Sequence, residues 1–324
     1  MTPSAAVTAK GEQRWRSGHP WIYRSDLTSV EATGGDIVLV RNGRGRILGS
    51  ALYSDRSQIA LRMLTDGEAP ATETLLLDRL ERAVQFRESL HLDATAYRLV
   101  HGEADRLPSL IVDRYGDYLV VQALSQGMDR HLPAIVDWLQ ARLAPRGILA
   151  RHDPRARLLD GLDQHVRVLA GDVPASIEVY ECGVRYDVDV WHGQKTGLFL
   201  DQRDNRLAAL QYARGRTLDC FSYQGGFALV LAPRATETIA IDVSDEAVAH
   251  IRANAARNGR AVDARVGNVF DELRGLERLK ERFDTIVLDP PAFAKSKDAV
   301  QKAATGYKEI NLRALDRKST RLNS

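Results

Sequence analysis

A glycine-bearing turn and an acidic residue after it carry the first chemical signal in the sequence. The apolar run Thr217–Phe221 leads into Ser222–Phe227, which reads SYQGGF. A turn with little side chain at the end of a strand lets a ligand approach the backbone. Asp242 ends the next apolar run, about 20 residues later, where a carboxylate accepts hydrogen bonds from ribose hydroxyls. This pattern predicts a nucleoside-containing cofactor, and the missing G-x-G-x-x-G fingerprint disfavours NAD.

A second signal is the run Asp289–Phe293, which reads DPPAF at the end of another apolar run. Two consecutive prolines remove two backbone donors and fix φ, so the turn is rigid and its carbonyls remain as acceptors. Rigid acceptors beside an aromatic ring suit a nucleobase that has been taken out of its stack. Asp289, Pro290 and Phe293 are therefore the predicted catalytic residues.

The two cysteines are candidate nucleophiles. A thiolate that attacks a base must lie beside it. Cys220 lies within a predicted strand and Cys182 lies in a predicted hairpin turn. Neither adjoins Asp289 in the sequence, so we interpret both as structural.

Cations and indoles interleave near the N-terminus. The run Arg14–Trp21 reads RWRSGHPW. A surface of this kind stacks bases and neutralises phosphates. The predicted RNA-binding residues are Arg14, Arg16, His19, Trp21, Arg44 and Arg46.

The elements around these motifs predict three domains. Short strands at Asp36–Arg41, Arg46–Tyr53 and Gln58–Leu64, with an Asn-Gly turn between the first two, predict a small β barrel over residues 1–66. Two hairpins and two helices predict a central α+β domain over residues 71–190. From residue 192 to residue 324, strands and helices alternate, which predicts a parallel sheet with helices on both faces.

Composition excludes several classes of protein. The 324 residues are 44% hydrophobic and 27% charged, with a mean hydropathy of −0.29. No apolar run approaches the roughly 18 residues of a membrane span, and the N-terminus lacks a signal peptide pattern. Two cysteines build neither a disulfide framework nor a zinc site. We expect a cytoplasmic protein without a metal and without membrane contact.

Five motifs carry a resemblance that covers nearly the whole chain. They are Gly18–Trp21, His101–Pro108, Lys195–Arg203, Phe221–Phe227 and Asp289–Phe293. In this order they resemble the family of S-adenosylmethionine-dependent ribosomal RNA large-subunit methyltransferases, in which a PUA domain and a central α+β domain precede a class I methyltransferase domain. The resemblance is greatest to the cytosine-C5 member. It implies S-adenosylmethionine as cofactor, ribosomal RNA as partner and a sheet of strand order 3-2-1-4-5-7-6.

The resemblance also implies the cofactor contacts. Ser222, Gly225 and Gly226 would face the methionine part and Asp242 the ribose, while Arg203 grips the methionine carboxylate. Asn268 stands where the family often has Asp, so we expect weaker adenine binding there. The full predicted cofactor set is Asp201, Arg203, Phe221, Ser222, Gly225, Gly226, Asp242, Asn268 and Asp289.

In the family that this chain resembles, the nucleophilic cysteine follows strand four. The match here continues through Gly306–Leu312 and then vanishes. We therefore expect a chain truncated after the fourth strand and its helix, with about eight foreign residues at its end and strand four as an exposed edge. Such a chain would lack the nucleophile and be inactive by itself.

Two other functions remain open at this stage. A guanine or adenine base methyltransferase needs no thiolate, although adenine-N6 enzymes place an aromatic residue directly after Pro-Pro and here Ala292 intervenes. The chain would alternatively be a non-catalytic RNA-binding fragment. The sequence leaves the oligomeric state open, a homo-oligomer included.

Overall fold

A computed structural model of the chain describes residues 2–294 and 297–317. The chain divides into two compact units. Unit 1 runs to Ile177 and includes Val188–Leu198, whereas unit 2 contains Glu178–Asp187 and the residues from Phe199 onward. The predicted foreign segment at the C-terminus lies outside the described residues.

The first part of unit 1 is a six-stranded sheet with one helix. Its elements are β1 (Ser4–Val7), α1 (Ala9–Arg16), β2 (Trp21–Tyr23), β3 (Leu27–Glu31), β4 (Ile37–Asn42), β5 (Ile47–Tyr53) and β6 (Ile59–Met63). The strands lie in the order β2-β6-β5-β4-β1-β3. Strands β4, β5 and β6 confirm the three predicted strands. The hairpin turn between β4 and β5 forms at Asn42, whose Oδ1 accepts hydrogen bonds from the amides of Arg44 and Arg46 (both 3.0 Å).

The second part of unit 1 is a five-stranded sheet packed by two long helices. Its elements are α2 (Glu73–Ser89), β7 (Ala96–His101), β8 (Leu110–Tyr115), β9 (Tyr118–Ala123), α3 (Gln126–Leu143), β10 (Gly147–His152), α4 (Ala156–Leu159) and β11 (His165–Gly171). The strands lie in the order β11-β10-β9-β8-β7. Leu76 and Leu80 of α2 and Ile135 and Leu139 of α3 are fully buried, because their helical spacing puts them on the face toward the core.

Unit 2 is a parallel sheet flanked by helices and joined by a hairpin. Its elements are β12 (Ile177–Glu181), β13 (Val184–Val188), α5 (Arg203–Leu210), β14 (Arg216–Cys220), α6 (Gly226–Leu231), β15 (Glu237–Asp242), α7 (Asp245–Arg257), β16 (Asp263–Val266), α8 (Val269–Arg278), β17 (Thr285–Leu288) and α9 (Val300–Arg317). The sheet order β16-β15-β14-β17 matches the expected 3-2-1-4, and every neighbouring pair is parallel. All four predicted strands are confirmed.

The β12-β13 hairpin groups with unit 2, although its residues fall in the predicted central domain. The reason is local hydrogen bonding: the amide of Arg185 donates to Oδ1 of Asn258 (2.8 Å) and that of Asp187 to Oδ1 of Asn254 (3.1 Å). Both asparagines belong to the α7 region. The three-domain division stays a prediction.

Residues 2–294 and 297–317 contain neither a membrane span nor a metal-binding cluster. None of their helices has the length and apolar character that crossing a bilayer requires. No group of three or more His, Cys, Asp or Glu side chains among them is arranged to hold a metal ion.

Candidate functional site

The turn between β14 and α6 is tightly wound. Phe221, Tyr223 and Gly225 have positive φ angles of 62°, 49° and 80°. Such a φ is uncommon for residues other than glycine and marks stored strain, which is frequent at ligand sites. The amide of Gly225 donates to the carbonyl of Ser222 (2.8 Å) and closes the turn. The backbone here is therefore held in one defined conformation.

Ser222 joins the ends of two strands. Its hydroxyl donates to the carbonyl of Asp219 (2.7 Å) and accepts from the amide of Ile241 (3.1 Å), and the side chain is buried. The predicted contact of Ser222 with a cofactor therefore competes with a structural role, because its donor is already used. The contact stays a prediction.

Both glycines of the turn are closely packed against neighbouring helices. A Cβ on Gly225 would lie 3.2 Å from the Ile251 side chain of α7, and one on Gly226 would lie 2.6 Å from Nε of Arg206. Side chains at these positions would push the turn away from α7 and α5. The two glycines therefore let the turn sit close against its supporting helices.

Asp242 lies at the end of β15 and links its own turn to the glycine turn. Its Oδ2 accepts from the amide of Tyr223 (2.8 Å), and its Oδ1 accepts from the amide of Ser244 (3.0 Å). A carboxylate oxygen accepts more than one hydrogen bond. Both oxygens therefore keep acceptor capacity for a ligand with two neighbouring hydroxyls, as predicted for a ribose.

Asp289, directly after β17, is connected to the turn before α5. Nε2 of Gln202 donates to Oδ2 of Asp289 (3.1 Å). Of the two predicted upstream residues, Asp201 is exposed and Arg203 pairs with Asp204 (2.9 Å). Gln202 was missed by sequence reasoning, although it lies within the quoted motif Lys195–Arg203. Its position between two predicted site residues was the available signal.

An aromatic contact brings the same upstream segment to the glycine turn. The rings of Phe199 and Tyr223 meet edge to face with centroids 5.3 Å apart. The Tyr223 amide in turn donates to Asp242 at the end of β15. The segment before α5 also contacts Asp289 through Gln202. The structure therefore brings Asp242 and Asp289 to one edge of the sheet, where parallel α/β folds bind ligands.

Phe293 lies in an aromatic cluster. Its ring centroid is 4.4 Å from that of Tyr307, 5.7 Å from that of Phe270 and 6.2 Å from that of Phe221. The hydroxyl of Tyr307 also accepts from the Phe293 amide (3.2 Å). The ring therefore packs α9 against the sheet, and its predicted catalytic role stays a prediction, as does that of the half-buried Pro290.

Asn268 begins α8. Its Oδ1 accepts from the amide of Phe270 (3.0 Å), which caps the helix. The carbonyl that was predicted to bind an adenine amino group is thus already engaged, and the adenine contact stays a prediction.

Asp219 is a buried carboxyl group below the glycine turn. Its Oδ2 accepts from the amide of Ala228 in α6 (2.9 Å). Burial raises the pKa of Asp219 to about 7, and the hydrogen bond from Ala228 opposes only part of that shift. The neighbouring negative charge of Asp289 raises the pKa further. Sequence reasoning missed this residue because its neighbours in strand β14 are apolar.

Replacing Asp219 with Asn is expected to change the pH dependence of stability. The folded pKa of about 7 lies above the ordinary 3.8, so the contribution of Asp219 to wild-type stability is greatest below pH 4 and is lost as the pH rises through 7. The Asp219→Asn variant does not lose stability in this way, because an asparagine side chain does not ionise. Its stability relative to wild type should rise between pH 4 and 8 by a few kcal/mol, since one pKa unit corresponds to about 1.4 kcal/mol.

Urea unfolding followed by circular dichroism at several pH values measures this difference. Asp245→Asn, an exposed change of the same kind, serves as the control. A pH-independent difference between wild type and Asp219→Asn would contradict the assigned pKa.

Neither cysteine has the environment of a nucleophile. Cys220 is fully buried in β14, and burial raises the pKa of its thiol far above the ordinary value. Cys182 lies in the β12-β13 turn, where burial raises its pKa to about 11. Reactive thiols need a lowered pKa. Both side chains therefore match the structural interpretation.

The predicted RNA-binding residues lie in unit 1, and most have protein partners. Arg16 binds Glu12 through two nitrogens (3.0 and 2.7 Å), and Arg14 lies 4.7 Å above the Tyr23 ring. The indole of Trp21 donates to Glu103 (3.0 Å). The others are His19, whose ring nitrogen accepts from the Trp21 amide, and the exposed Arg44 and Arg46. Their RNA contacts stay predictions.

Comparison with protein families identifies two domains. A PUA-like domain matches residues 6–66, and an S-adenosylmethionine-dependent methyltransferase domain matches residues 121–317. The chain is 37% identical to ribosomal RNA large subunit methyltransferase I of Vibrio cholerae, over 97% of this chain and 82% of the relative. It is 36% identical to the protein of that name from Photobacterium profundum, with the same coverage.

Solved structures agree in fold. A methyltransferase from Streptococcus mutans superimposes with a TM-score of 0.80 at 22% identity, over 98% of this chain and 83% of that one. A methyltransferase complexed with SAH superimposes with a TM-score of 0.82 at 22% identity, over 99% and 84%. The predicted class I methyltransferase fold behind a PUA-like domain is confirmed. The alignments do not support the predicted truncation, since they extend over more than four fifths of each of these chains.

Proposed function

This chain belongs to the S-adenosylmethionine-dependent methyltransferase family that includes ribosomal RNA large subunit methyltransferase I, and from that premise we propose that its target is C5 of a cytosine in large-subunit ribosomal RNA, in a reaction whose thiolate neither Cys182 nor Cys220 supplies. The family relationship makes the chain an S-adenosylmethionine-dependent methyltransferase. The observation that carries the proposal is the linked sheet edge, where Asp242 bonds to the glycine turn and Asp289 lies after the adjacent strand β17.

The donor set at this edge fits the cofactor. Asp242 retains acceptor capacity for two ribose hydroxyls, and the Gly225–Gly226 turn beside it lies close against α7 and α5. When bound, S-adenosylmethionine supplies an electrophilic methyl group on its sulfonium. The role of the chain is to hold the ribose through Asp242.

The base is proposed to lie beside Asp289 and Pro290. The two prolines keep this turn rigid and leave its carbonyl groups as acceptors. One of these carbonyls, that of Pro291, already accepts from the Tyr307 hydroxyl (3.4 Å). Asp289 is fixed by Gln202, so its carboxylate is oriented before a base arrives. An exocyclic amino group of cytosine is a donor that such acceptors recognise.

Reaction at C5 needs a thiolate, and Cys182 and Cys220 do not supply one. Their thiols have raised pKa values and lie in β14 and in the hairpin turn. The described residues therefore contain no thiol suited to attack carbon 6 of the base.

The purified 324-residue chain is therefore expected to bind the cofactor without forming 5-methylcytidine. Calorimetry with S-adenosylhomocysteine and mass spectrometry of nucleosides from incubated ribosomal RNA measure the two properties. Cys182→Ala and Cys220→Ala should leave cofactor binding unchanged. Formation of 5-methylcytidine by the chain would show that Cys182 or Cys220 acts as the nucleophile despite its raised pKa.

Nucleoside analysis of cells tests the base and position. Large-subunit RNA from cells that lack this gene should lose one 5-methylcytidine. Loss of a methylguanine or of N6-methyladenine would instead favour the alternative function, a guanine or adenine base methyltransferase. The described residues contain no thiol with a lowered pKa, which supports this alternative because an amine attacks the methyl group directly. Absence of saturable cofactor binding would favour a non-catalytic RNA-binding fragment. Because ribosomal RNA is the proposed substrate, we place the protein in the cytoplasm.

A further inference from the structure

Three arginines of unit 1 converge on two adjoining cavities. The smaller cavity, of about 360 Å³, and the larger, of about 490 Å³, are both lined by Arg79, Arg82 and Arg106. Arg79 and Arg82 lie on α2, and Arg106 follows β7 within the motif His101–Pro108. The methyl-transfer site described above uses none of them.

Arg79 is a buried cation that binds no carboxylate of the described residues. Its side chain is 7% exposed, and its guanidinium donates to the backbone carbonyls of Arg106 (2.6 Å) and Leu64. Burial lowers the pKa of Arg79, and the positive charges of Arg106 and Arg82 lower it further. A buried charge without an opposite charge is unfavourable, so the cluster favours a bound anion.

Arg82 and Arg106 are exposed at the edge of the cavities. In the part of the chain that the structure describes, neither guanidinium makes an ion pair or a hydrogen bond. The nearby acids have their own partners: Asp105 binds Arg87 through two oxygens (2.5 and 2.8 Å), and Glu103 accepts from the Trp21 indole. Asp66 lines only the larger cavity. The smaller cavity is therefore net positive.

The backbone holds Arg106 in place. Its φ is +57°, which is uncommon for a residue with a side chain, and its carbonyl accepts from Arg79. The backbone of Arg106 is thus fixed relative to the Arg79 guanidinium. Planar guanidinium groups suit a tetrahedral oxyanion such as phosphate.

The larger cavity adds an apolar wall to these cations. Trp15, Pro20, Met63 and Leu75 line it, and the half-buried Trp15 is fixed through its indole nitrogen by the carbonyl of Leu48 (3.3 Å). Arginines beside an aromatic and aliphatic wall match a nucleotide unit, which has a charged phosphate and a flat base.

We propose that Arg79, Arg82 and Arg106 bind a backbone phosphate of the RNA substrate, with the adjacent nucleotide against the Trp15 wall. The identity of the polymer as RNA rests on the proposed function. The site lies in unit 1 and supplies a role for the motif His101–Pro108.

Two variants of the full chain test the site. Arg106→Gly removes a charge at a positive φ that glycine adopts without strain, so loss of folding does not explain a loss of binding. Arg82→Gln removes a charge from the exposed face of α2 with little change in helix propensity. Arg155→Gln, exposed and outside both cavities, is the matched control.

Fluorescence anisotropy with a labelled large-subunit RNA transcript measures the effect. Each site variant should bind about tenfold more weakly at 0.1 M salt, with the slope of log K against log salt reduced by about 1. The control should bind as wild type does, and calorimetry should show unchanged S-adenosylhomocysteine affinity for all three variants.

Unchanged RNA affinity in both site variants, or an equal loss in Arg155→Gln, would overturn the proposal. Inorganic phosphate is the probe for a site that binds a small anion instead of RNA. If phosphate protects Arg106 from modification by phenylglyoxal while the variants bind RNA as wild type does, the proposed RNA site is also overturned. Binding is measured without methyl transfer. If the chain forms no 5-methylcytidine but the variants lose RNA affinity, the proposed phosphate site is supported and only the proposed reaction is refuted.

Discussion

Replacing Asp242 with Asn is expected to weaken S-adenosylhomocysteine binding by about 100-fold or more. Each hydrogen bond from a ribose hydroxyl to a carboxylate contributes about 1.5–3 kcal/mol. The substitution has a second cost that the structure makes specific. Both oxygens of Asp242 accept from backbone amides, those of Tyr223 and Ser244. An asparagine NH2 group necessarily faces one of these donors, so the turn is disturbed in either orientation.

Isothermal titration calorimetry measures the affinity. Asp245→Asn is the matched control, because it makes the same change of charge three residues away on an exposed position in the first turn of α7. We expect the control to bind within about threefold of wild type, as exposed charges contribute little. Equal losses in the two variants would show that the Asp242 carboxylate has no specific role in holding the cofactor.

The strands of unit 2 were predictable because parallel strands covered on both faces are short apolar runs. Leu218, Ile239 and Ile241 are fully buried for that reason. The β1 strand and the α1 helix of unit 1 were not predicted. Strand β1 has four residues and pairs in parallel with β4, so its position depends on a partner more than 30 residues away rather than on its own pattern. A sequence pattern does not encode such pairing.

The same limit applies to the site. Asp242 was found because an acid at the end of an apolar run is a local pattern. The partners of Ser222, in contrast, include the Ile241 amide 19 residues away, and Gln202 meets Asp289 across 87 residues. Hydrogen bonds between distant segments decide which polar groups remain available to a ligand. Residue type alone therefore predicted candidate side chains but not the hydrogen-bond partners of each.

Replacing Arg206 with Met is expected to destabilise unit 2 by about 3–5 kcal/mol, the usual result of removing one partner from a buried ion pair. Arg206 is 5% exposed and Glu181 is fully buried, and Nη1 of the arginine donates to Oε1 of the glutamate. Arg206 also donates to the Phe199 carbonyl (3.0 Å) and lies against Gly226 of the glycine turn. The pair therefore joins the β12-β13 hairpin to α5 below the turn.

The pair is imperfectly satisfied, which determines the outcome of a double substitution. Within residues 2–294 and 297–317, Oε2 of Glu181 and Nε of Arg206 are buried without a hydrogen-bond partner, and burial raises the pKa of Glu181. Removing both charges with Glu181→Leu and Arg206→Met together should therefore restore most of the stability lost in the single variant. A double variant as unstable as Arg206→Met alone would show that shape, and not charge, makes the pair important.

The urea unfolding of each of the two units can be followed by its own signal. All four tryptophans, Trp15, Trp21, Trp138 and Trp191, belong to unit 1, so their fluorescence during urea unfolding follows that unit. Unit 2 is followed by the loss of S-adenosylhomocysteine binding over the same urea range. We expect Arg206→Met to shift the binding transition to lower urea while the tryptophan transition stays in place. The ion pair lies entirely within unit 2, so only the binding transition should shift. A shift of both transitions would mean that Arg206 stabilises the whole chain.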